Sequence, residues 1–293
     1  MIIHTIPLEF QPNYKSSYPP YSHGKHMEEI IYEKIKNISN QINTELIYLP
    51  IFWTSYYIIN DYGNNIEQLY KWLNQLDKSK KYFTIVQYDN GIFVKNFNLN
   101  IKIFTASGGG LNIKDDSEIS FKYNNLDRYI FAGNNGDIDL PLITLPYFPK
   151  INIKKNILCS FIGRYDTHYC RIKMHLMLEN QTDISFYKPT NYQKYSEIVN
   201  RSVFTLAPRG YGYTSYRLYE AIFADSIPIY IWDNKICLPY KDELNWDDFS
   251  IIVHINDIKN IPNLINNFNI KQMQYNLKKV KQKFTFDYIL PYI

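Results

Sequence analysis

Hydrophobic and polar positions alternate along the second half of the chain in a pattern typical of a parallel α/β sheet. Apolar runs of strand length, such as NILCSFIG, SVFTLAP and SIPIYIW, are separated by longer amphipathic segments such as HYCRIKMHLMLEN and NYQKYSEIVNRS. A short apolar run between polar turns is typical of a buried strand, and the longer segments have the length of a helix. Strands that alternate with helices predict right-handed crossovers and a parallel sheet.

The first half of the chain has a less regular pattern, which still predicts an α/β unit. MEEIIYEKIKNISNQI and NNIEQLYKWLNQL are predicted helices, and TELIYLPIF, KYFTIVQYD and NIKIFTAS are predicted strands. Proline and glycine interrupt the pattern before residues 145–156, so we place the domain connection there. A chain of 293 residues is long enough for two domains. We predict domains at 1–150 and 151–272, followed by a C-terminal helical segment at 273–293.

Composition and charge exclude several classes of protein. The formal net charge is +4, and the longest basic cluster, NLKKVKQKF, is typical of a solvated helix face, so no nucleic-acid partner is expected. Cys159, Cys170 and Cys237 are scattered without metal-ligand spacing, which argues against a zinc site or a disulfide framework. No window has the composition of a signal peptide or of a transmembrane segment. We therefore expect a cytoplasmic location.

The stretch PRGYGYTSYRLYE has the composition of an anion-binding loop that leads into a helix. Free backbone N–H groups and hydroxyls at a helix N-terminus attract a phosphate, and an arginine can pair with it. An acidic residue three positions after that arginine could accept hydrogen bonds from ribose hydroxyls. The alternative is an ordinary N-cap with a surface ion pair behind it. The candidate residues are Arg209, Gly210, Gly212, Thr214, Ser215, Arg217 and Glu220.

A second candidate loop lies where the run ILCSFIG ends. Gly163 and Arg164 follow this predicted strand, at the edge of a parallel sheet where ligands bind. The planar guanidinium of arginine can bind two oxygens of a diphosphate at once. The alternative is that Arg164 forms a salt bridge with the following helix.

Other polar motifs can be interpreted either as functional sites or as structural features. Asp137 and Asp139 form an Asp-x-Asp sequence that could hold a metal on a sugar nucleotide, or could belong to a structural turn, which we favour. His23 and His26 remain possible site residues. No histidine lies in a sequence context specific for a metalloprotease or a catalytic triad.

Together these segments resemble the exostosin family of inverting glycosyltransferases. The resemblance covers about residues 82–260 and is firmest in the second half. The segments that carry it are SFIGR (160–164), SVFTLAPRG (202–210), TSYRLYEAI (214–222), SIPIYIWD (226–233) and NWDDFSIIV (245–253), with YFTIVQYDNG (82–91) and GDIDLPL (136–142) as looser matches. Asp225 and Ser226 replace the small residues that usually precede the strand IPV, and Tyr88 and Asn90 replace a histidine and a tryptophan.

The resemblance implies a GT-B fold, in which two Rossmann-like domains face a central cleft and the C-terminal helix crosses back to the N-terminal domain. It implies a nucleotide-sugar donor, expected to be a UDP-sugar, in the C-terminal domain, and a glycan or glycoprotein acceptor on the N-terminal side. No metal or other cofactor is expected. No segment of this sequence has the pattern of the family's usual secretory-pathway anchor, so we expect a version made in the cytoplasm, for example by a large DNA virus or a microbe.

The expected reaction is inverting transfer of a hexosyl or pentosyl group, which needs a base for the acceptor hydroxyl. We predict Asp89 as that base because it follows a predicted strand of the first half, with His23, His26 and Asp61 as alternatives. Asp89 could equally belong to an ordinary Asp-Asn-Gly turn. Two other functions stay open, namely a non-catalytic nucleotide-sugar or glycan-binding protein of the same fold, and a metal-dependent GT-A transferase that uses Asp137 and Asp139.

Overall fold

The structure is a computed structural model that describes residues 1–63, 65–92, 99–109 and 136–293. The chain divides into two units, which are described separately below. Unit 1 comprises Met1–Leu140 together with Leu290–Ile293, and unit 2 comprises Pro141–Ile289. The observed division thus follows residue 140, whereas the sequence places it after residue 150. The functional roles assigned to the two domains stay predictions.

Unit 1 contains a five-stranded parallel sheet with its strands in sequential order. The strands are β1 (Ile2–Ile3), β2 (Ile47–Tyr48), β3 (Tyr82–Val86), β4 (Ile101–Thr105) and β5 (Ile138–Asp139). Among the described residues of this unit, the α-helices are α1 (Met27–Ile38), α2 (Trp53–Ile59) and α3 (Glu67–Asn74). All five residues of β3 are buried, as expected for a strand covered on both faces.

Two elements of unit 1 differ from the sequence prediction. The predicted strand TELIYLPIF is reduced to β2, and the unpredicted helix α2 follows it. Trp53, Tyr56 and Tyr57 of α2 are buried, so tertiary burial of one helix face outweighs the strand propensity of these aromatic residues. Part of the Asp-x-Asp segment, predicted to be a turn, forms the edge strand β5 instead, because Ile138 and Asp139 pair with Phe104 and Thr105 of β4.

Unit 2 confirms the predicted alternation of strands and helices. Its five parallel strands have the order β10-β9-β8-β6-β7. The strands are β6 (Ile157–Ile162), β7 (Ile184–Tyr187), β8 (Ser202–Pro208), β9 (Ile227–Trp232) and β10 (Ile251–His254). The helices are α4 (Tyr169–Leu178), α5 (Tyr192–Arg201), α6 (Tyr216–Phe223), α7 (Ile261–Asn267), α8 (Ile270–Val280) and α9 (Phe286–Tyr292).

The strand order of unit 2 reverses direction at β6. The chain passes from β6 to β7 on one side and then to β8 on the other side, so the loops after β6 and β8 leave the same edge of the sheet in opposite directions. Ligands of open α/β sheets bind at this kind of switch point. The predicted α/β class, with two parallel-sheet units of the kind that make up a GT-B fold, is confirmed.

Apolar side chains of strands and helices form the core of unit 2, including Phe161, Phe204, Ile229 and Met174. In the part of the chain that the structure describes, no helix has both the length and the hydropathy needed to cross a membrane.

Candidate functional site

The candidate site of unit 2 is formed by two loops and a helix start at the carboxyl edge of its sheet. Gly163 and Arg164 directly follow β6, and residues 209–215 connect β8 with α6. Because β6 and β8 are neighbours in the sheet, the two loops predicted from the sequence lie side by side. They occupy the switch point of the strand order.

Arg217 is the residue that joins these loops. Its side chain is 6% exposed, and its Nη2 donates a hydrogen bond to the carbonyl of Ile162 at 2.7 Å. Its guanidinium carbon lies 4.7 Å from the ring centre of Phe161, a cation–π distance. The Nε atom is buried without a hydrogen-bond partner among the described residues. A charged donor that is desolvated and unpaired favours an anionic ligand.

Gly163 makes room for this guanidinium. It has a φ of 148°, a conformation that residues with a side chain rarely adopt. A Cβ atom at this position would lie 2.4 Å from Nη2 of Arg217. Gly163 is therefore required both by its backbone conformation and by the position of Arg217.

The start of α6 presents a buried hydroxyl at the N-terminus of the helix. Ser215 occupies the N-cap, but its Oγ donates to the carbonyl of Pro208 at 3.1 Å and caps no amide of the helix. Oγ1 of Thr214 is buried without a partner in the described part of the chain. The first amides of a helix lack partners within the helix and carry a partial positive charge. Thr214 and these amides together form an arrangement suited to a phosphate oxygen.

Arg209 has a different place from the one predicted. Its side chain is fully buried, and its Nη1 donates to Oδ1 of Asp233 at 2.6 Å. Its Nε and Nη2 donate to the carbonyls of Gly212 and Tyr211, both at 3.0 Å. These contacts hold the loop in shape, so the structure favours a scaffolding role for Arg209 over direct contact with a diphosphate. Asp233, which ends the strand motif SIPIYIWD, is the partner that sequence reasoning missed.

His168 lies next to the ion pair of Arg209 and Asp233. Its Nδ1 accepts a hydrogen bond from the amide of Cys170 at 3.1 Å, and its Nε2 lies 3.6 Å from Oδ2 of Asp233. Burial, together with the positive charge of Arg209, lowers the pKa of His168 to about 3, so the ring is neutral at physiological pH. His168, Cys170 and Asp233 could together offer three ligand atoms to a metal. The charged hydrogen bond from Arg209 to Asp233 competes with that use.

Glu220 is buried on α6, three residues after Arg217. Its Oε2 accepts a hydrogen bond from the hydroxyl of Tyr195 on α5. Burial and the nearby Glu220 carboxylate raise the pKa of Tyr192 to about 12. Arg217 and Glu220 are only 6% and 4% exposed, so the alternative of a surface ion pair is wrong. Contact of Glu220 with a ribose stays a prediction.

Arg164 and the two glycines define the outer part of the site. The Arg164 side chain is 67% exposed and binds the carboxylate of Asp166 through Nε and Nη2, at 3.0 and 2.8 Å. Arg171 donates to the carbonyls of Arg164 and Arg209 and thereby links the two loops. Gly210 donates its amide to the carbonyl of Thr214 at 3.0 Å. Unlike Gly163, Gly210 and Gly212 do not have positive φ angles.

The candidate residues of unit 1 are spread over several elements. Asp89 lies in the turn after β3, as predicted, where the amide of Gly91 donates to the carbonyl of Tyr88 at 2.9 Å. His23 and Asp61 are exposed, whereas His26 is buried at the start of α1. The Oδ2 of Asp137 accepts the amide of Ile103 on β4 at 2.6 Å, a bond that fixes the edge strand β5.

Comparison with known proteins supports the resemblance noted in the sequence. Residues 133–268 match the family model of the Exostosin GT47 domain. A probable glycosyltransferase of Arabidopsis thaliana is 30% identical over 109 residues, which are 36% of this chain and 21% of that protein. The probable glucuronosyltransferase GUT1 of Oryza sativa subsp. japonica is 34% identical over 153 residues, with coverage of 45% and 35%. The chain thus spans about a fifth to a third of the length of these relatives.

Among solved structures, the chain is similar to the pneumococcal O-GlcNAc transferase GtfA, whose crystal structure contains UDP and GlcNAc. The TM-score is 0.42 at 10% sequence identity, and the alignment covers 90% of this chain and 57% of that chain. The matched family region contains every candidate residue of unit 2, and Asp89 lies outside it.

Proposed function

We propose that this protein is an inverting glycosyltransferase of the exostosin type that uses a nucleotide-sugar, most simply a UDP-sugar, as donor and a glycan or glycoprotein hydroxyl as acceptor. The observation that carries the proposal is the buried guanidinium of Arg217, with its unpaired Nε, at the sheet edge where Thr214 presents an unpaired hydroxyl. Both residues lie within the region that matches the Exostosin GT47 domain.

The chemistry of transfer explains why this arrangement matters. As the bond between the sugar and the diphosphate breaks, negative charge develops on the leaving diphosphate. Fixed donors aimed at that charge stabilise the transition state more than the ground state. Arg217, the hydroxyl of Thr214 and the first amides of α6 would supply these donors, and the exposed Arg164 could add a second positive charge by exchanging Asp166 for the ligand.

The remaining predicted residues of unit 2 have supporting roles in this site. Arg209 and Asp233 hold the loop that contains Gly210 and Gly212 from a buried position. Glu220 is proposed to bind the ribose, with Tyr195 orienting its carboxylate. In this account the positive charge needed by the diphosphate comes from the protein, which fits a transferase that works without a metal.

A donor screen tests the proposal. The protein is incubated with a panel of UDP- and GDP-sugars, and release of the nucleoside diphosphate and of free sugar is followed by NMR. We expect slow hydrolysis of at least one donor, with the opposite anomeric configuration in the first product formed. Thr214→Val, which removes one hydroxyl at nearly constant volume, should raise the Kd of that donor about 5–10-fold, the net value of about one hydrogen bond. Thr182→Val, at an exposed turn before β7, is the matched control.

Donor binding without any turnover would support the non-catalytic sugar-nucleotide binder instead. Failure to bind any nucleotide-sugar would contradict the proposal. Retention of anomeric configuration would contradict the inverting mechanism while leaving the transferase assignment intact.

A further inference from the structure

Unit 2 contains a pocket at the amino edge of its sheet, opposite the edge of the candidate donor site. The pocket encloses about 240 Å³ between the segment 150–155, the turn before β9 and helix α8. Lys155 precedes β6 and Asp225 precedes β9, whereas the donor loops follow β6 and β8. Strand β6 has six residues, so about 20 Å of strand separates the two edges. The lysine pocket, as we name it, is therefore separate from the donor site.

Asp225 organises the charged side chains of the lysine pocket. It has a φ of 53°, a conformation that favours glycine, and it occupies a position where the exostosin pattern has a small residue. Its Oδ2 accepts a hydrogen bond from Nζ of Lys150, and its Oδ1 accepts one from Nζ of Lys281 at 2.8 Å. Both oxygens of this buried carboxylate are thus already bound to lysines.

Two further lysines of the pocket have no carboxylate partner among the described residues. Lys155 donates to the carbonyls of Asn200, Ser202 and Ala224 at 3.1, 2.8 and 3.2 Å, which uses its three N–H groups without pairing its charge. In the described part of the chain, Lys278 on α8 forms no hydrogen bond or ion pair. Four lysines therefore meet a single carboxylate, which leaves an excess of three positive charges.

The same charges act on Lys155. Burial lowers the pKa of Lys155 to about 8, although the charge of Asp225 raises it. The positive charges of Lys150, Lys281 and Lys278 lower this pKa further. The lysines repel one another more than Asp225 can offset, and an anion bound in the pocket would relieve that repulsion.

The wall of the pocket is fixed and partly apolar. Oδ1 of Asn200 accepts the amide of Ile151 at 2.8 Å, and its Nδ2 donates to the carbonyl of Pro149 at 3.0 Å. Ile151 and Ile153 line the pocket and are 40% and 39% exposed. The volume lies below the range of about 300–1,000 Å³ that is usual for drug-sized ligands. Apolar carbon next to positive charge in a small volume suits an anionic group on a molecule of sugar size.

We propose that the lysine pocket binds a phosphate group, either inorganic or carried by a molecule of sugar size. A phosphate carries close to two negative charges at neutral pH, so it offsets more of the positive excess than a carboxylate does. Lysine ammonium groups bind phosphate as point charges. Lys150 and Lys278, which are exposed, would contact the phosphate directly, whereas Lys155 would act through its buried charge. The inference does not depend on the proposed glycosyl transfer.

Amide NMR spectra of the whole chain locate the binding. Inorganic phosphate, glucose 6-phosphate and glucose are titrated separately at constant ionic strength. We expect saturable shifts at Ile151, Ala224 and Asp225 with both phosphates and none with glucose. The phosphate with the lower Kd identifies the source of the group that the pocket prefers. Binding should also raise the pKa of Lys155, followed through its side-chain signals, because a bound anion stabilises the ammonium form.

Charge-removing variants test which lysines bind the phosphate. Lys278→Gln should raise the Kd of glucose 6-phosphate about 3–5-fold, the upper range for an exposed ion pair, and the double variant with Lys150→Gln should raise it about 10–25-fold. Lys279→Gln is the matched control, because Lys279 is adjacent on α8 but its Nζ lies 4.2 Å from the ring centre of Tyr275. It should leave the Kd unchanged.

Three results would overturn the inference. These are the absence of saturable shifts in the lysine pocket with either phosphate, shifts confined to the donor loops around Thr214, and a Kd that is the same in wild type and the double variant. None of them bears on UDP binding through Arg217, so this inference and the proposed function can fail separately.

Discussion

Replacing Gly163 by alanine tests the geometry on which the donor site depends. The new Cβ would lie 2.4 Å from Nη2 of Arg217, far inside van der Waals contact. The guanidinium cannot move without losing its hydrogen bond to the Ile162 carbonyl and its stacking on Phe161. The residue would also have to adopt a φ of 148° with a side chain present.

The expected loss of stability is the sum of two costs, the strain in the backbone and the lost hydrogen bond of Arg217. Backbone strain of this kind costs about 1–3 kcal/mol. Loss of a buried hydrogen bond from a charged donor costs about 1.5–3 kcal/mol. We therefore expect Gly163→Ala to lower the free energy of unfolding by about 2.5–6 kcal/mol and to weaken UDP binding. Gly210→Ala, in the neighbouring loop, is the control for stability, because its Cβ would meet nothing closer than 3.4 Å and its φ is not positive.

A double-mutant cycle separates the two costs. Urea unfolding is measured for Gly163→Ala, Arg217→Ala and the double variant. Only the strain remains when Arg217 is already absent, so the coupling free energy should be about 1.5–3 kcal/mol. A coupling below about 0.5 kcal/mol would mean that Gly163 and Arg217 act independently, and would refute the reasoning that the glycine exists to admit the guanidinium.

Three further predictions concern other parts of the chain. Burial raises the pKa of Glu29 from 4.5 to about 7, so the protonated side chain stabilises the fold fully below about pH 4.5, and this stabilisation is lost as the pH rises through about 7. In thermal unfolding, the difference in unfolding free energy between wild type and Glu29→Gln should therefore change by about 3 kcal/mol over that range. Arg209→Met should lower the free energy of unfolding by about 3–5 kcal/mol in urea titrations, since it leaves Asp233 buried and unpaired, and adding Asp233→Asn should recover part of the loss. Transfer activity should survive both EDTA and Asp139→Asn; loss with EDTA and recovery with Mn²⁺ would favour the Asp137–Asp139 metal hypothesis.

The alternation of strands and helices was enough to predict that both candidate loops of unit 2 lie at the carboxyl edge of a parallel sheet. It did not predict the contact between Gly163 and Arg217, which are separated by more than fifty positions in the sequence. The pattern does not say which arginine faces a ligand and which is used by the scaffold. Arg209 belongs to the scaffold because it pairs with Asp233. The position of Asp233 depends on the register of β9 in the sheet.

The buried hydrogen bonds of unit 1 that link His26, Ser55 and Glu29 were harder to predict for a similar reason. His26 and Glu29 have the spacing of a capping box, which the sequence could have indicated. Ser55, which connects them, lies on α2, and the aromatic composition of that helix resembles a strand. The segment of Asp137 and Asp139 forms a strand because β4 is available to pair with it, and no local signal reports that partner.

The central claim is that unit 2 binds a nucleoside diphosphate through the buried guanidinium of Arg217, and calorimetric titration with UDP tests it most directly. Wild type, Arg217→Ala and the control Arg201→Ala, whose guanidinium pairs with Glu197 on α5, are titrated under identical conditions. We predict that Arg217→Ala raises the Kd about 10–150-fold, equivalent to about 1.5–3 kcal/mol, while Arg201→Ala leaves it unchanged. An unchanged Kd in folded Arg217→Ala, or no UDP binding by the wild type, would contradict the account.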